Sequence, residues 1–344
     1  MTNAEYNELY QAAQLQAGTL TLKARKELLK AYKAAAKLAA EAVENATSAG
    51  LSDLTSSHWS AINTQLQAGA DSISNTLEST ISTYISKSYS TIASIDEDYI
   101  MDAVTEAQID SITSAGVAAI SSAIDETLLT YSASRVYSNG YTLSESIWNL
   151  YDSSGKPTGV NGDYQYRIKN LILTGQAQGR DVVDIAKDIQ TYVAYGKDAV
   201  FTAGNYGKLI AGTGEYKARI SGTVDWRALR IVRSELYASL QQAGLQDGPM
   251  NPACQDQYNW KKNKSNPTDP DGSRNASGQR CIDLENGNPY TLTTAPGHQH
   301  PNCGCRLEPV LMDHEEFVSD LKNWVPGSGP EYLDTWYRTV YSTT

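Results

Sequence analysis

The stretch from Arg280 to Pro309 reads RCIDLENGNPYTLTTAPGHQHPNCGCRLEP. It holds three of the chain's four cysteines and two of its four histidines, among many Gly, Pro and Asn residues. This composition predicts a loop rather than an ordinary helix or strand. Ordering a loop residue costs about 1–2 kcal/mol of backbone entropy, so the loop needs a metal ion or a disulfide to hold one shape.

Thiol and imidazole groups on such loops are the ligands that zinc prefers. The predicted zinc ligands are Cys281, His300, Cys303 and Cys305, with Cys254 and His298 as alternates. Gly304 separates two cysteines that can both turn inward. The alternative is a pair of disulfides, in which Cys254 and Cys281 each bond to one cysteine of the CxC pair.

The bulk composition favours thin interfaces between helices. A chain of 344 residues has room for roughly two domains, or for one domain with a long extension. It contains 2 Phe and 22 Tyr, so most of its aromatic bulk carries hydroxyl groups. Because a buried hydroxyl needs a hydrogen bond, we expect narrow helix–helix contacts rather than one deep apolar centre.

The formal charge of −11 argues against nucleic acid as the main partner. One local basic run stands out between Thr21 and Lys37, and it contains Lys23, Arg25, Lys26, Lys30, Lys33 and Lys37. On a helix such a run is most often a solvated face. Contact with phosphate or DNA is the alternative for this run.

No membrane or export segment is expected. The first five residues lack the basic start and apolar run of a secretory signal, and nowhere do 18 apolar residues follow one another. We therefore expect a soluble protein made in a reducing cytoplasm. In that compartment four cysteines indicate metal ligands more readily than structural disulfides.

The N-terminal part is predicted to be an extended helical region, residues 1–135. Apolar residues recur every three or four positions from Ala4 to about Thr47 and again from Leu51 to Tyr131, with an acidic triplet at 96–98 that resembles a cap. These stripes are narrow, so the helices should pack on each other or on further copies of the protein.

The remainder is predicted to be a small α+β domain with a Cys/His-stabilised loop, residues 136–312, followed by a C-terminal helix and tail, residues 313–344. Thr142 and Glu145 form a capping box. Further helices are predicted at 166–173, 182–193, 225–244 and 313–324, short strands at 258–261 and 290–292, and a glycine-bearing connector at 196–223. The aromatic tail should dock on another surface.

An enzymatic interpretation has weaker support. An open zinc site with Glu285 or Glu308 as a base would make a hydrolase, and Arg233 and Glu235 are conceivable catalytic residues. The sequence contains neither an HExxH nor a GxSxG motif. An Arg and a Glu on one helix are more often part of a structural salt-bridge network. We therefore predict no enzymatic activity.

Several of these residues together resemble one family. They are the triplet Arg233-Ser234-Glu235, then Trp260, then Cys281 followed by Asp283, Leu284 and Gly287, and finally His300-Pro301-Asn302-Cys303-Gly304-Cys305-Arg306 with Pro309. The pattern covers about residues 141–311 and resembles the tailed-phage head morphogenesis family, the Mu F-like minor capsid proteins. The HPNCxC end is its most specific part. Residues 1–135 match no part of the family pattern.

The resemblance implies a virion protein of a tailed bacteriophage. Such a protein assembles in the host cytoplasm with the portal protein and other capsid components, lies at the head interior near the portal, and can leave with the DNA. Gly304 stands where the family often has Arg, so no side chain acts at that position. The alternative is a phage-encoded enzyme or toxin, such as a metal-dependent hydrolase or transferase, that carries a Mu F-like delivery domain.

Overall fold

The computed structural model describes residues 1–47, 54–137, 140–148, 151–152, 154–155, 157–177, 181–195, 226–262, 276–299 and 303–343. These residues are mainly helical, with a two-stranded antiparallel sheet near the C-terminus. The predicted fold class, mainly α with a small α+β part, is confirmed. The predicted connector at 196–223 lies outside the described residues.

The helices in chain order are α1 (Asn3–Thr47), α2 (Ser56–Ala107), α3 (Ser114–Ser134), α4 (Leu143–Trp148), α5 (Val160–Ala177), α6 (Val182–Tyr195), α7 (Trp226–Met250), α8 (Ala276–Asn286), α9 (His314–Asn323) and α10 (Glu331–Thr339). The strands are β1 (Cys254–Lys261) and β2 (Arg306–Leu311). None of the described helices is both long enough and apolar enough to cross a bilayer.

The chain divides into two compact units, each drawn from separate stretches of sequence. Unit 1 contains Met1–Thr21, Ile81–Ala133 and Arg233–Thr344. Unit 2 contains Leu22–Thr80 and Ser134–Val232. The division of the sequence at residues 135 and 312 stays a prediction.

Tyrosines form much of the core of unit 1, and the hydroxyls of Tyr6 and Tyr99 are hydrogen-bonded. The Tyr6 ring lies 5.2 Å from the Tyr99 ring, centroid to centroid, and Tyr99 stacks on Phe317 at 6.3 Å. The Tyr99 hydroxyl donates to Asn3 Oδ1 at 2.8 Å. The Tyr6 hydroxyl donates to Asp96 Oδ1, also at 2.8 Å. These two tyrosines therefore have polar partners at specific points of the core.

Asp96 is a buried carboxylate in this core. Besides Tyr6, the Asn251 side-chain amide donates to its Oδ1 at 3.0 Å, whereas Oδ2 is buried without a hydrogen bond. A cavity of about 20 Å³, lined in part by Asp96, Glu97 and Ser121, has room for one water molecule. Burial raises the pKa of Asp96 to about 6, against the opposing effect of the hydrogen bonds from Asn251 and Tyr6.

We expect Asp96→Asn to remove one pH-dependent component of stability. The folded-state pKa of about 6 exceeds the ordinary value of 3.8, so the folded protein favours the protonated acid. The resulting stabilisation is fully present below about pH 4 and is lost as the pH rises through about 6, by roughly 3 kcal/mol for a shift of this size. Urea unfolding at several pH values should show this loss in the wild type and not in the variant.

The exposed neighbour Asp98 provides the matched control. The variant Asp98→Asn removes a carboxylate from the same turn and should retain the wild-type pH dependence between about pH 4 and 6. If Asp96→Asn also retained it, the folded-state pKa of Asp96 would not be raised.

The two strands pair in antiparallel register, with Tyr258 opposite Pro309 and Trp260 opposite Leu307. Both outer edges are covered by other groups. On the β1 edge, the Asn288 side chain bonds both the N–H and the C=O of Trp260 at 2.6 and 2.8 Å. On the β2 edge, the Gln14 amide from α1 donates to the Leu307 carbonyl at 3.2 Å. Pro309 lacks an N–H, so β2 offers few groups for further pairing.

The aromatic tail docks on unit 1, as predicted from its composition. Trp336 on α10 is buried, and its ring N–H donates to the Met250 carbonyl at 2.8 Å. The Thr113 backbone N–H donates to the Tyr341 hydroxyl at 2.8 Å. The tail therefore covers the end of α7 and the start of α3.

Unit 2 is built from close helix contacts. A Cβ at Gly69 would lie 2.8 Å from the Ala35 Cβ, so glycine permits the close approach of α1 and α2. Tyr32 on α1 meets Tyr164 on α5 edge-to-face at 6.0 Å. The apolar stripes predicted for these helices are buried within the chain, as Leu28, Ala39, Val43, Ile62, Leu66, Ile73 and Leu77 show. Self-association through other faces stays a prediction.

The ends of several helices differ from the prediction. The acidic triplet at 96–98 does not end a helix, because α2 continues to Ala107. Gly175 lies inside α5, which also begins earlier than expected, at Val160. Gly244 lies inside α7, where a Cβ would come 2.9 Å from the Leu307 carbonyl oxygen. Glycine is needed at position 244 for close packing and not to terminate the helix.

The Arg280–Pro309 stretch is only partly a loop. It begins inside α8, which carries Cys281, and ends within β2. Tyr290 forms an isolated bridge with Tyr258 instead of the predicted strand at 290–292. The abundance of Gly, Pro and Asn in the middle of the stretch concealed the regular structure at its ends.

Candidate metal centre

Three cysteines converge in unit 1. The sulfur atoms of Cys281, Cys303 and Cys305 all lie within 4.8 Å of one another, and all three residues are fully buried. A tetrahedral zinc ion with Zn–S bonds of about 2.3 Å holds its sulfurs about 3.8 Å apart. The cluster could therefore close around a metal ion with small side-chain movements.

Different elements supply the three thiols. Cys281 lies on α8, where helical backbone bonds fix its position. Cys303 and Cys305 immediately precede β2, and both are buried, as are Gly304 between them and Leu307 on the strand. The sulfurs of Cys303 and Cys305 both lie close to the Cys281 sulfur, so both side chains of the CxC pair point toward α8.

Large apolar side chains surround the sulfurs. Tyr258, Trp260 and Leu307 are fully buried in the same cluster. Tyr258 and Trp260 are two residues apart on β1 and so lie on one face of the sheet. The sheet therefore shields the thiols on this side.

Polar contacts hold the loop and helix in place. The Gln241 side-chain amide of α7 donates to the Cys305 carbonyl at 2.5 Å. Lys262, which follows β1, bonds to Glu285 of α8 through both its backbone N–H at 3.2 Å and its ammonium group at 3.0 Å. These contacts fix both sides of the cysteine cluster relative to the rest of unit 1.

The thiol chemistry of the cluster suits a cation. Hydrogen bonds with Cys281 and Cys305, and then burial, raise the pKa of the Cys303 thiol far above its ordinary range. Several thiolates in one dry site are unfavourable without positive charge, whereas a coordinated metal ion deprotonates its thiol ligands outright. These three cysteines are thus a group that could bind a metal ion.

The other predicted ligands have different positions. All four cysteines are described, and none of them is in a disulfide. Cys254 lies on β1 and packs against the cluster, but its sulfur is outside the group of three. Burial raises its pKa to about 11. His298 is half-buried and also outside the group, while His300 lies outside the described residues.

Sequence reasoning missed the amide side chains that position the centre. Gln241 is buried on α7, and Gln14 is buried on α1. The only signal is that a polar residue occupies an otherwise apolar helix face, as Gln241 does between Tyr237 and Leu245, each four positions away. Such a residue must find a hydrogen-bond partner, but the sequence does not show which one.

The residues considered for catalysis are engaged in structural contacts. Glu285 pairs with Lys262, and Glu308 pairs with Arg306 at 2.8 Å. On α7, fully buried Glu235 accepts a hydrogen bond from Ser132 at 2.8 Å. Each carboxylate therefore has a partner other than a metal-bound water.

Comparisons of the chain with protein-family models, with curated proteins and with solved structures gave no significant match.

Proposed function

We propose that Cys281, Cys303 and Cys305 bind a structural zinc ion and that His300 is the fourth ligand. The convergence of three buried sulfurs within 4.8 Å is the observation that carries this proposal. Three thiolates and one imidazole form a common ligand set of structural zinc sites. When bound, the ion joins α8 to the segment before β2.

A structural role agrees with the burial of the site. A catalytic zinc keeps one position open for water and substrate. The three cysteines are fully buried, and Tyr258 and Trp260 cover them. Glu285 and Glu308, the carboxylates that a hydrolase would use as a base, are in ion pairs.

For the whole chain, the proposed function is that of a minor head protein of a tailed phage, associated with the portal. The resemblance of the HPNCxC motif and the upstream Cys281 segment to the Mu F-like family supports it. The two parts of that pattern are separated by about 20 residues, yet the sulfurs of Cys281 and Cys303 meet. Their convergence gives a physical reason for the pattern: a metal ion bound by these cysteines would make the loop rigid, and a rigid loop loses less entropy when it docks on a partner.

Co-expression with the portal protein of the same phage genome tests this function. With an affinity tag on the portal alone, the chain should elute together with the portal protein and then sediment with the portal ring. The eluted chain should carry about one zinc ion. A tagged capsid-unrelated ring protein of similar size serves as the control. If the chain stays in the unbound fraction with both rings, the proposed function is wrong.

A further inference from the structure

One face of α1 carries a regular row of lysines within unit 2. We call Lys23, Lys26, Lys30, Lys33 and Lys37 the lysine stripe. All five side chains are exposed, and their spacings alternate between three and four residues. At about 100° per residue, this spacing places them within an arc of about 80° on the helix.

The charge of this segment is opposite to that of the rest of the chain. Residues 23–37 contain six basic side chains and one acidic side chain, Glu27, which gives a net charge of +5. The full chain carries −11, so the remaining residues carry −16. Positive charge is therefore concentrated on one helix of an acidic protein.

The central lysines are not neutralised by neighbours. Among the described residues, Lys26, Lys30 and Lys33 form no ion pair with a carboxylate. Lys37 lies 3.6 Å from Glu41, and both side chains are largely exposed. An exposed pair of this kind is worth at most about 1 kcal/mol, so Lys37 can readily exchange its partner.

We propose that the lysine stripe binds the phosphate backbone of duplex DNA without sequence preference. From Lys23 to Lys37 the helix rises about 21 Å, which matches about six base pairs at 3.4 Å each. Lysine is a flexible point charge that contacts phosphate without reading bases. The remaining residues carry a net charge of −16, which opposes non-specific DNA binding elsewhere on the chain.

An acidic protein surface fits the stripe less well than DNA. Lysine is depleted in protein–protein interfaces, whose affinity comes from buried aromatic and aliphatic anchors. The lysine stripe presents one exposed ammonium group every three or four residues. A row of phosphate groups, as in a DNA backbone, supplies the negative charges that this row can bind. This inference goes beyond the proposed portal association and depends on neither zinc nor the cysteine cluster.

Fluorescence anisotropy with a labelled duplex of about 20 base pairs tests the proposal across a range of salt concentrations. Five phosphate contacts predict that wild-type affinity falls about 500-fold between 50 and 200 mM salt. The variant Lys26→Gln/Lys30→Gln/Lys33→Gln keeps two contacts, so its affinity should fall only about 12-fold over the same range. Its affinity at 50 mM salt should be at least about tenfold below that of the wild type.

The control variant is Lys87→Gln/Lys169→Gln/Lys187→Gln, which makes the same change in net charge at exposed lysines on α2, α5 and α6. It should bind DNA with the wild-type salt dependence. Equal weakening in both variants, or no binding of the wild type at low salt, would overturn the proposal. So would a stripe-dependent self-association in sedimentation without DNA binding, because the stripe would then bind a second copy of the chain.

Discussion

Replacing Cys303 and Cys305 together by serine should abolish zinc binding and unfold the C-terminal sheet region. Two of the three converging sulfurs would be lost, and serine is a poor zinc ligand. Because structural zinc contributes its binding energy to folding, the loss should exceed the few kcal/mol of an ordinary buried substitution. Metal analysis and circular dichroism of purified protein measure both effects.

Cys254→Ser is the matched control for this experiment. Its sulfur lies outside the group of three, so the variant should keep about one zinc ion per chain. Zinc loss in Cys254→Ser would identify Cys254, rather than His300, as the fourth ligand. A double variant that folds normally and binds no less metal than wild type would contradict the structural zinc site itself.

Trp260→Ala should destabilise the same region by about 3–5 kcal/mol, the usual cost of removing a fully buried tryptophan. Trp260 is 0% exposed and packs in the cluster that contains the three cysteines. The variant opens a cavity on the sheet side of the metal centre, so zinc should also transfer to a chelator more quickly. Urea unfolding and the rate of zinc release provide the two measurements.

Leu292→Ala provides the comparison for this substitution. Leu292 is an apolar residue in the same part of the chain, but its side chain is 42% exposed. Its removal should change stability by no more than about 0.5 kcal/mol and leave zinc release unaltered. If the two variants had equal effects, Trp260 would not support the centre.

Features set by neighbouring residues could be predicted from the sequence. Thr142 and Glu145 form the predicted capping box, in which the Thr142 N–H donates to Glu145 Oε2 at 2.8 Å. Asp181 caps α6 through the Val183 N–H at 2.8 Å. The two cysteines of the CxC pair both point to the Cys281 sulfur, as their short spacing allows. Each of these depends on fewer than five consecutive residues.

Features set by distant residues could not be predicted in this way. Asp96 is buried among side chains that include its hydrogen-bond partners Tyr6 and Asn251. These partners are 90 and 155 positions away in the sequence, so no local pattern indicates the burial. Gly244 resembles a helix terminator, and only the approach of Leu307 explains why the helix continues through it. The convergence of Cys281 with the CxC pair follows from the thiol chemistry of the stretch, but the helix α8 that carries Cys281 does not, because the composition of the whole stretch concealed it.

The first turns of α1 and the segment around β2 depend on each other. The Asn3 side-chain amide donates to the Met312 carbonyl at 2.7 Å, just beyond β2, while Gln14 covers Leu307. Because these contacts join positions 309 and 293 residues apart, α1 is synthesised long before its acceptors exist. A fragment without α1 would leave the Leu307 carbonyl on this edge uncovered, so Pro309 would then be the main obstacle to pairing with other chains.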